Sequence, residues 1–238
     1  AGEFWQVYGL PVISIPPNRP CVREQWGDRI FLEEATKWHV VADEITKLHA
    51  TGRPLLIGTR SVFASERLAA SLRERGMDAK VLNATRLADE SAIVALAGEP
   101  GRITIATNMA GRGTDIKLGQ GVAALGGLHV IATERHESGR VDRQLFGRAG
   151  RQGDPGSAQA FVSAEDELIR RHLPAPARKV LAETLRRTVP AQERISKAAF
   201  RLAQRRAQKL AYRQRQEILN SDLMLDQALS FASPDPIG

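Results

Sequence analysis

The hydrophobic positions of the chain alternate between two patterns. Short, nearly continuous apolar runs are typical of strands buried on both faces of a parallel sheet, and they predict strands at Pro54–Gly58, Ala79–Asn83, Arg102–Thr107, Gly127–Thr133 and Ser157–Ser163. Apolar residues at spacings of three and four predict helices at Thr36–Ala50, Ser61–Arg75, Asp89–Leu96 and Gly139–Phe146. Strand–helix alternation with short connections indicates an α/β fold, a parallel sheet with helices on both faces.

Both ends of the chain differ from this alternating body. Residues 1–27 contain four prolines around an extended run, Val12–Ile15, and are predicted to connect into the domain. A second short extended run follows at Arg29–Leu32. No strand is predicted after Ser163, and Gln192–Leu229 is predicted to form one long helix with a thin apolar stripe. We therefore divide the chain into a connecting segment (1–27), an α/β domain (28–170) and a helical segment (171–238).

Composition sets further bounds on the class of protein. Hydrophobic residues make up 42% of the chain and charged residues 26%, which is ordinary for a globular domain. No apolar run approaches the ~18–20 residues that span a bilayer. The N-terminus lacks both a signal-peptide pattern and an initiating Met, so we expect a piece of a longer protein. The lone Cys21 excludes an intrachain disulfide and fits a reducing, cytoplasmic compartment.

The positive charge of the chain is concentrated in the helical segment. Up to Ile169, Lys and Arg number 20 against 21 acidic residues, whereas between Arg170 and Asn220 the ratio is 14 to 3. Such asymmetry indicates an acidic partner, which could be nucleic acid, anionic lipid or an acidic protein surface. The alternative is a solvated helix face whose acidic neighbours lie elsewhere in a longer protein.

Glycine-rich stretches follow three of the predicted strands, at the strand ends where α/β sheets bind ligands. In NMAGRGTD, glycines such as Gly111 allow backbone amides to approach an anion, and Asp115 supplies a negative charge. In QLFGRAGRQGDPG, which begins at Gln144, Arg148 and Arg151 would share one face of a helix and could clamp a phosphoryl group. The alternative is an internal ion pair with Asp142 or Glu137.

The chain lacks two other features that would supply chemistry. No GxxxxGK[ST] sequence is present, so nothing in it is predicted to cradle the β- and γ-phosphates of ATP. The five histidines show no metal-ligand spacing, and no metal site is predicted. The domain is therefore predicted to be one half of a two-part nucleotide site.

Long blocks of the sequence resemble the bacterial SecA preprotein translocase ATPase family. TIATNMAGRGTDIKLG (Thr104–Gly119) is similar to its motif V block, and LLIGTRSVFASERLAASL (Leu55–Leu72) to its motif IV region. The block from Leu125 to Ile169, which contains GRAGRQGD, is similar to the family block that ends in motif VI. YGLPVISIPPNRP (Tyr8–Pro20) resembles the segment just after the family's first nucleotide-binding half. The resemblance covers residues 1–170 almost continuously.

The resemblance implies a fold, a function and a set of site residues. The fold would be the second RecA-like domain of the superfamily-2 helicase kind, which closes over ATP held, with Mg²⁺, by the P-loop of a preceding domain. Arg148 and Arg151 match the motif VI arginines, with Arg151 the better finger candidate. Asp154 matches an aspartate beside the nucleotide, Gly111 and Asp115 match motif V, and Gln144 joins this nucleotide-binding set.

The resemblance also implies partners and a location. Closure would drive unfolded preproteins through the SecYEG channel, with the parent protein peripheral at the cytoplasmic face of the bacterial plasma membrane. An anionic membrane surface is a further possible partner, and nucleic acid is not expected. The isolated chain, lacking a P-loop, is expected to be inactive.

Several positions depart from the family pattern. Gly139 and Phe146 replace arginines and Ala158 replaces a serine, so two positive side chains are lost beside the implied site, which leaves the strength of the ATPase and its coupling to the partner domain open. Only AQERISKAAF (Ala191–Phe200) of the helical segment is similar to the family's scaffold helix, so a divergent SecA-like paralogue is one reading. Two other hypotheses remain open: the C-terminal half of a nucleic-acid helicase with a basic RNA-binding arm, and a non-catalytic interaction module.

Overall fold

The computed structural model describes residue 5 and residues 9–82, 93–107, 114–187 and 191–232. The strands in these ranges are β1 (Glu24–Gln25), β2 (Arg29–Phe31), β3 (Leu55–Thr59), β4 (Ala79–Leu82), β5 (Ile103–Thr107), β6 (Leu128–Ala132) and β7 (Gly156–Ser163). The helices are α1 (Glu34–His49), α2 (Val62–Glu74), α3 (Gly139–Phe146), α4 (Glu167–His172), α5 (Ala175–Arg186) and α6 (Gln192–Ala232). Two short 3-10 helices lie at Leu96–Gly98 and Val122–Leu125.

The strands form one parallel sheet in the order β1-β7-β6-β3-β5-β4. Both β1 and β2 pair with β7, β1 at Ser157–Ala158 and β2 at Phe161–Ser163. The first two strands of the chain therefore pair with its last strand. All described pairings are parallel, as the alternating pattern predicted.

The core lies in two layers, one on each face of the sheet. Leu55 and Ile57 of β3 pack with the apolar faces of α1 and α2. Leu56, between them, belongs to the opposite layer, which includes residues of α3, α4, α5 and α6. Because successive side chains of a strand point to opposite faces, a continuous apolar strand needs helices on both sides. The structure confirms this predicted arrangement.

Most predicted elements lie within one or two residues of the observed ones. The predicted helix at Gly139–Phe146 matches α3 at both ends, and Ser61 caps α2 by accepting a hydrogen bond from the amide of Ala64 (3.1 Å). Residues 89–92 of the predicted helix at Asp89–Leu96 lie outside the described residues. The domain boundaries stay a prediction, although β1 lies inside the segment predicted to connect.

Two predictions about the ends of the chain need correction. The run Val12–Ile15 is irregular and exposed, because it pairs with no strand among the described residues. The segment from residue 171 was predicted to be helical without bounds for its first helices; α4 begins before it, and Pro176 sits at the start of α5, where a missing N–H costs nothing. The predicted long helix is confirmed as α6, and none of the described helices is long and apolar enough to cross a membrane.

A buried ion pair joins the first helix to the residues after the last strand. Lys37 Nζ of α1 lies 2.6 Å from Asp166 Oδ1, and both side chains are almost fully buried. Asp166 also accepts hydrogen bonds from the Ser163 amide at Oδ2 (2.9 Å) and from the Ser163 hydroxyl at Oδ1 (2.6 Å). The pair ties α1 to the carboxyl end of β7.

We expect Lys37→Met to lower the free energy of unfolding by about 3–5 kcal/mol, because it leaves the Asp166 carboxylate buried without its cation. Urea unfolding followed by circular dichroism measures the change. Lys47→Met, on the exposed face of the same helix, is the matched control and should change stability by less than ~0.5 kcal/mol. Equal effects from the two substitutions would contradict a specific role for the pair.

Candidate functional site

The two predicted finger arginines lie in a loop that precedes β7. We call residues 147–155 the arginine loop. Helix α3 ends at Phe146, before either arginine, so the prediction that a helix face aligns Arg148 and Arg151 is wrong. Gly150 has a φ of +67° and lets the loop turn toward β7. The loop reaches the amino end of β7, opposite the carboxyl-end edge where the glycine-rich stretches begin.

Each arginine contacts the segment that follows β5. Arg151 Nη1 lies 2.8 Å from Asp115 Oδ1, and Arg151 Nε donates to the carbonyl of Gly147 at 2.9 Å. Arg148 Nη1 donates to the carbonyl of Thr114 at 2.7 Å. Burial lowers the pKa of Arg148, the nearby charge of Arg151 lowers it further, and Asp115 partly offsets this. The structure thus brings the predicted motif V and motif VI residues into direct contact.

The arginines therefore do form internal contacts, but not with the acids considered from sequence. Asp142 lies 3.5 Å from Arg135, and Glu137 lies near Arg60 and His172. Arg151 remains partly accessible, with 36% of its side chain exposed, so its ion pair with Asp115 is open to competition from another anion. Exposed ion pairs of this kind contribute little to stability.

The connecting segment runs along the arginine loop. Arg19 Nη1 donates to the Gln152 carbonyl and Arg23 Nη1 to the Ala149 carbonyl, both at 3.2 Å. A cavity of about 380 Å³ lies between segment and loop, and its lining residues are Pro17, Asn18, Arg19, Asp115, Arg151 and Gln152. Sequence reasoning missed the three residues from the connecting segment, because their nearness to the loop follows from the pairing of β1 with β7.

The other predicted nucleotide-binding residues that the structure describes, Asp154 and Gln144, do not line this cavity. Asp154 is half-buried and its amide donates to the Arg151 carbonyl at 2.8 Å. Gln144 is exposed on α3. Arg148 does not line the 380 Å³ cavity either. Gly111 lies outside the described residues.

Two of the departures from the family pattern affect packing. Phe146 is buried in the core, and the Arg135 guanidinium lies 5.2 Å from the centre of its ring. A Cβ at Gly139 would lie 3.2 Å from the Gln204 side chain of α6, so this helix start packs closely against the long helix. Neither position lines the cavity, so their effect on the site is indirect.

A larger cavity, of about 640 Å³, lies at the carboxyl-end edge of the sheet. Its lining is mixed in charge and comprises Glu34, Arg60, Ser61, Glu134, Glu165, Asp166, Glu167, Arg170, Arg171 and Arg178. Burial raises the pKa of Glu134 to about 7, and the negative charge of Asp166 adds to the rise. Oppositely charged residues that line this cavity also pair with each other, as Arg60 does with Glu167 at 3.1 Å.

Among residues 9–82, 93–107, 114–187 and 191–232, no cluster of three potential metal-ligating side chains was found. Cationic groups dominate the chemistry at the arginine loop, which suits a phosphoryl group and not a metal ion. The parallel sheet with helices packed on both faces is the α/β architecture of a RecA-like domain.

The sequence is also similar to known protein translocase subunits. The family model described as "SecA P-loop domain" matches residues 20–124 and 120–187, which is more than half of the chain. The chain therefore belongs to the SecA family. It is 46% identical, over 98% of its length, to protein translocase subunit SecA 2 of Chlorobium chlorochromatii, and covers 36% of that protein. It is 54% identical over 71% of its length to protein translocase subunit SecA of Desulfotalea psychrophila, and covers 20% of that protein.

Solved structures support the fold alone. The E. coli DEAD-box protein SrmB, solved bound to RraA, is 21% identical with a TM-score of 0.51, covering 63% of this chain and 83% of that one. The yeast DEAD-box splicing factor Prp28 is 19% identical with a TM-score of 0.50, covering 71% of this chain and 35% of that one. Both support the predicted RecA-like architecture. The chain spans about a third or less of the translocase relatives it matches.

We expect the stability of the domain to fall with pH through the titration of Glu134. Its pKa is about 7 when folded, against an ordinary value of 4.5, so the folded state holds an extra proton between these values. The resulting stability is complete below pH ~4.5 and is lost as pH rises through about 7. Glu134→Gln should therefore be more stable than the parent sequence at pH 8, by on the order of 2 kcal/mol, and nearly equal at pH 4.

Urea unfolding at the two pH values measures this difference. Glu66→Gln, an exposed substitution on α2, is the control for removing one negative charge. A pH-independent difference for Glu134→Gln would contradict the assignment.

Proposed function

We propose that this chain is the second nucleotide-binding domain of an ATP-driven protein translocation motor. It would close over ATP and Mg²⁺ held by the P-loop of a preceding domain. The observation that carries the proposal is the position of Arg151, which is partly exposed at a cavity and held by an ion pair with Asp115. A phosphate can compete for such an arginine, and the chain itself contains no GxxxxGK[ST] sequence.

The two arginines would have different roles. Arg151 would act as the arginine finger, stabilising the negative charge that develops on the transferred phosphoryl group. Arg148, half-buried and bonded to the Thr114 carbonyl, would support the phosphoryl site and hold the two motif segments together. Asp154, Asp115, Gly111 and Gln144 are the proposed nucleotide-binding residues on this side of the cleft.

The parent protein would be a SecA 2-type translocase. The match to the Chlorobium SecA 2 extends over 235 residues, whereas that to the Desulfotalea SecA extends over 170. The SecYEG channel and unfolded preproteins are the proposed partners, and the inner face of the bacterial plasma membrane is the proposed location. An anionic membrane surface is proposed as a further contact for the basic helical segment.

We expect Arg151→Ala, made in the parent protein that contains the P-loop domain, to lower the kcat for ATP hydrolysis by ~10³-fold or more. Phosphate release measures the rate. Arg143→Ala, which removes an exposed arginine of α3 near the loop, is the matched control and should keep near-normal turnover. Undiminished hydrolysis after Arg151→Ala would contradict the finger role. Hydrolysis by this chain alone that survives Arg151→Ala would contradict the two-part site.

The helicase alternative makes a different prediction about the basic helical segment. If α6 is not an RNA-binding arm, RNA affinity in a filter-binding titration should be weak and should not depend on residues 192–215. An RNA affinity that falls steeply with salt, with a slope that shrinks when arginines of α6 are replaced, would favour a helicase half instead.

A further inference from the structure

We propose that Arg19, on the connecting segment, is a third cation of the nucleotide site and contacts a phosphate in the cavity that it shares with Arg151. The inference rests on the proposed function, and it extends the site beyond the two motifs that carry the finger arginines. The ligand would be the phosphate tail of a nucleoside triphosphate.

The connecting segment is held closely against the arginine loop. Strand β1 fixes its C-terminal end to β7, and Trp26 donates its amide to the Ala158 carbonyl at 2.9 Å. A Cβ at Gly150 would lie 2.5 Å from Arg23 Cβ, and one at Gly153 would lie 3.1 Å from Arg19 Cδ. The two glycines therefore allow a close approach that larger residues would obstruct.

Three residues of the arginine loop have a left-handed backbone conformation. Gly150, Gln152 and Gly153 have φ values of +67°, +55° and +82°. A non-glycine residue in this region is uncommon and costs energy unless its surroundings hold it there. The Arg19 hydrogen bond to the Gln152 carbonyl is one contact that does so. Successive backbone amides in such turns can form concavities that bind anions.

The charges around the cavity favour an anion. Its lining contains two cations, Arg19 and Arg151, and one anion, Asp115. Asp115 already pairs with Arg151, so a phosphate that enters must compete for that guanidinium. Arg19 lines the same cavity from the connecting segment, and a guanidinium carries five N–H donors, of which one serves the Gln152 bond. A phosphate in the cavity would gain a second cation there.

Nucleotide binding and turnover in the parent protein, measured separately, test the inference. A fluorescent ATP analogue reports affinity, and phosphate release reports KM and kcat. We expect Arg19→Ala to weaken binding of the analogue and raise the KM for ATP about tenfold, as the loss of a charged hydrogen bond predicts, with kcat changed less than threefold. Arg19→Lys, which keeps the charge, should restore part of the affinity.

Arg23→Ala is the matched control. It removes an arginine-to-carbonyl hydrogen bond of the same length from the same segment, but Arg23 does not line the cavity. An effect of Arg19→Ala that clearly exceeds that of Arg23→Ala supports a phosphate contact. Equal effects of the two substitutions would mean that Arg19 only supports the loop. No effect of either substitution would mean that Arg19 does not belong to the site. Either result would overturn the inference.

The outcome for Arg151→Ala keeps the two proposals distinguishable. If Arg151→Ala abolishes turnover while Arg19→Ala leaves the affinity for the ATP analogue normal, only the role of Arg19 is overturned and the proposed finger stands. Normal turnover with Arg151→Ala would overturn the proposed finger, and the binding titration would still report on Arg19.

Discussion

The pairing of β7 is the interaction on which the rest of the site depends. Every residue of β7 is buried, and the strand has β6 on one side and both β1 and β2 as further partners. The arginine loop leads directly into its amino end, and the connecting segment is held beside that loop through β1. Just beyond the carboxyl end of β7, Asp166 forms a buried ion pair with Lys37 of α1. One strand thus positions the cavity, the segment that lines it and the first helix.

Local features of the sequence predicted the elements of this fold well, whereas contacts between distant residues had to come from the structure. The apolar run at Leu55–Thr59 predicts a buried strand, since each residue faces one of two cores. The apolar spacing in α3 predicts where this helix begins and ends. The glycines that follow it predict a turn, but they do not predict the direction in which the loop continues. The prediction that the arginines share a helix face failed for that reason. The Arg151–Asp115 pair joins residues 36 positions apart, which no local pattern reveals.

The departures from the family pattern gain a physical meaning from the packing. Phe146, where the sequence resemblance implies an arginine, is buried beside Arg135, which also binds Asp28 through both carboxylate oxygens at 2.7 and 2.6 Å. Gly139 lets α3 begin close to Gln204 of α6. Gly139 meets the long helix, Phe146 belongs to the core on the same side of the sheet as α6, and neither residue lines the cavity. Their visible contacts are with the core and with α6 rather than with the residues that line the cavity.

The partnership of the first strands with the last one also bears on how the domain forms. During synthesis, β1 and β2 emerge more than 120 residues before the strand that they pair with. Contacts between such distant parts of a chain close large loops and form slowly. The cavity walls, Arg19 and Arg151, cannot meet until β7 has been made and has joined the sheet. The cavity between the connecting segment and the arginine loop is therefore among the last features to assemble, because it needs β1 paired with β7.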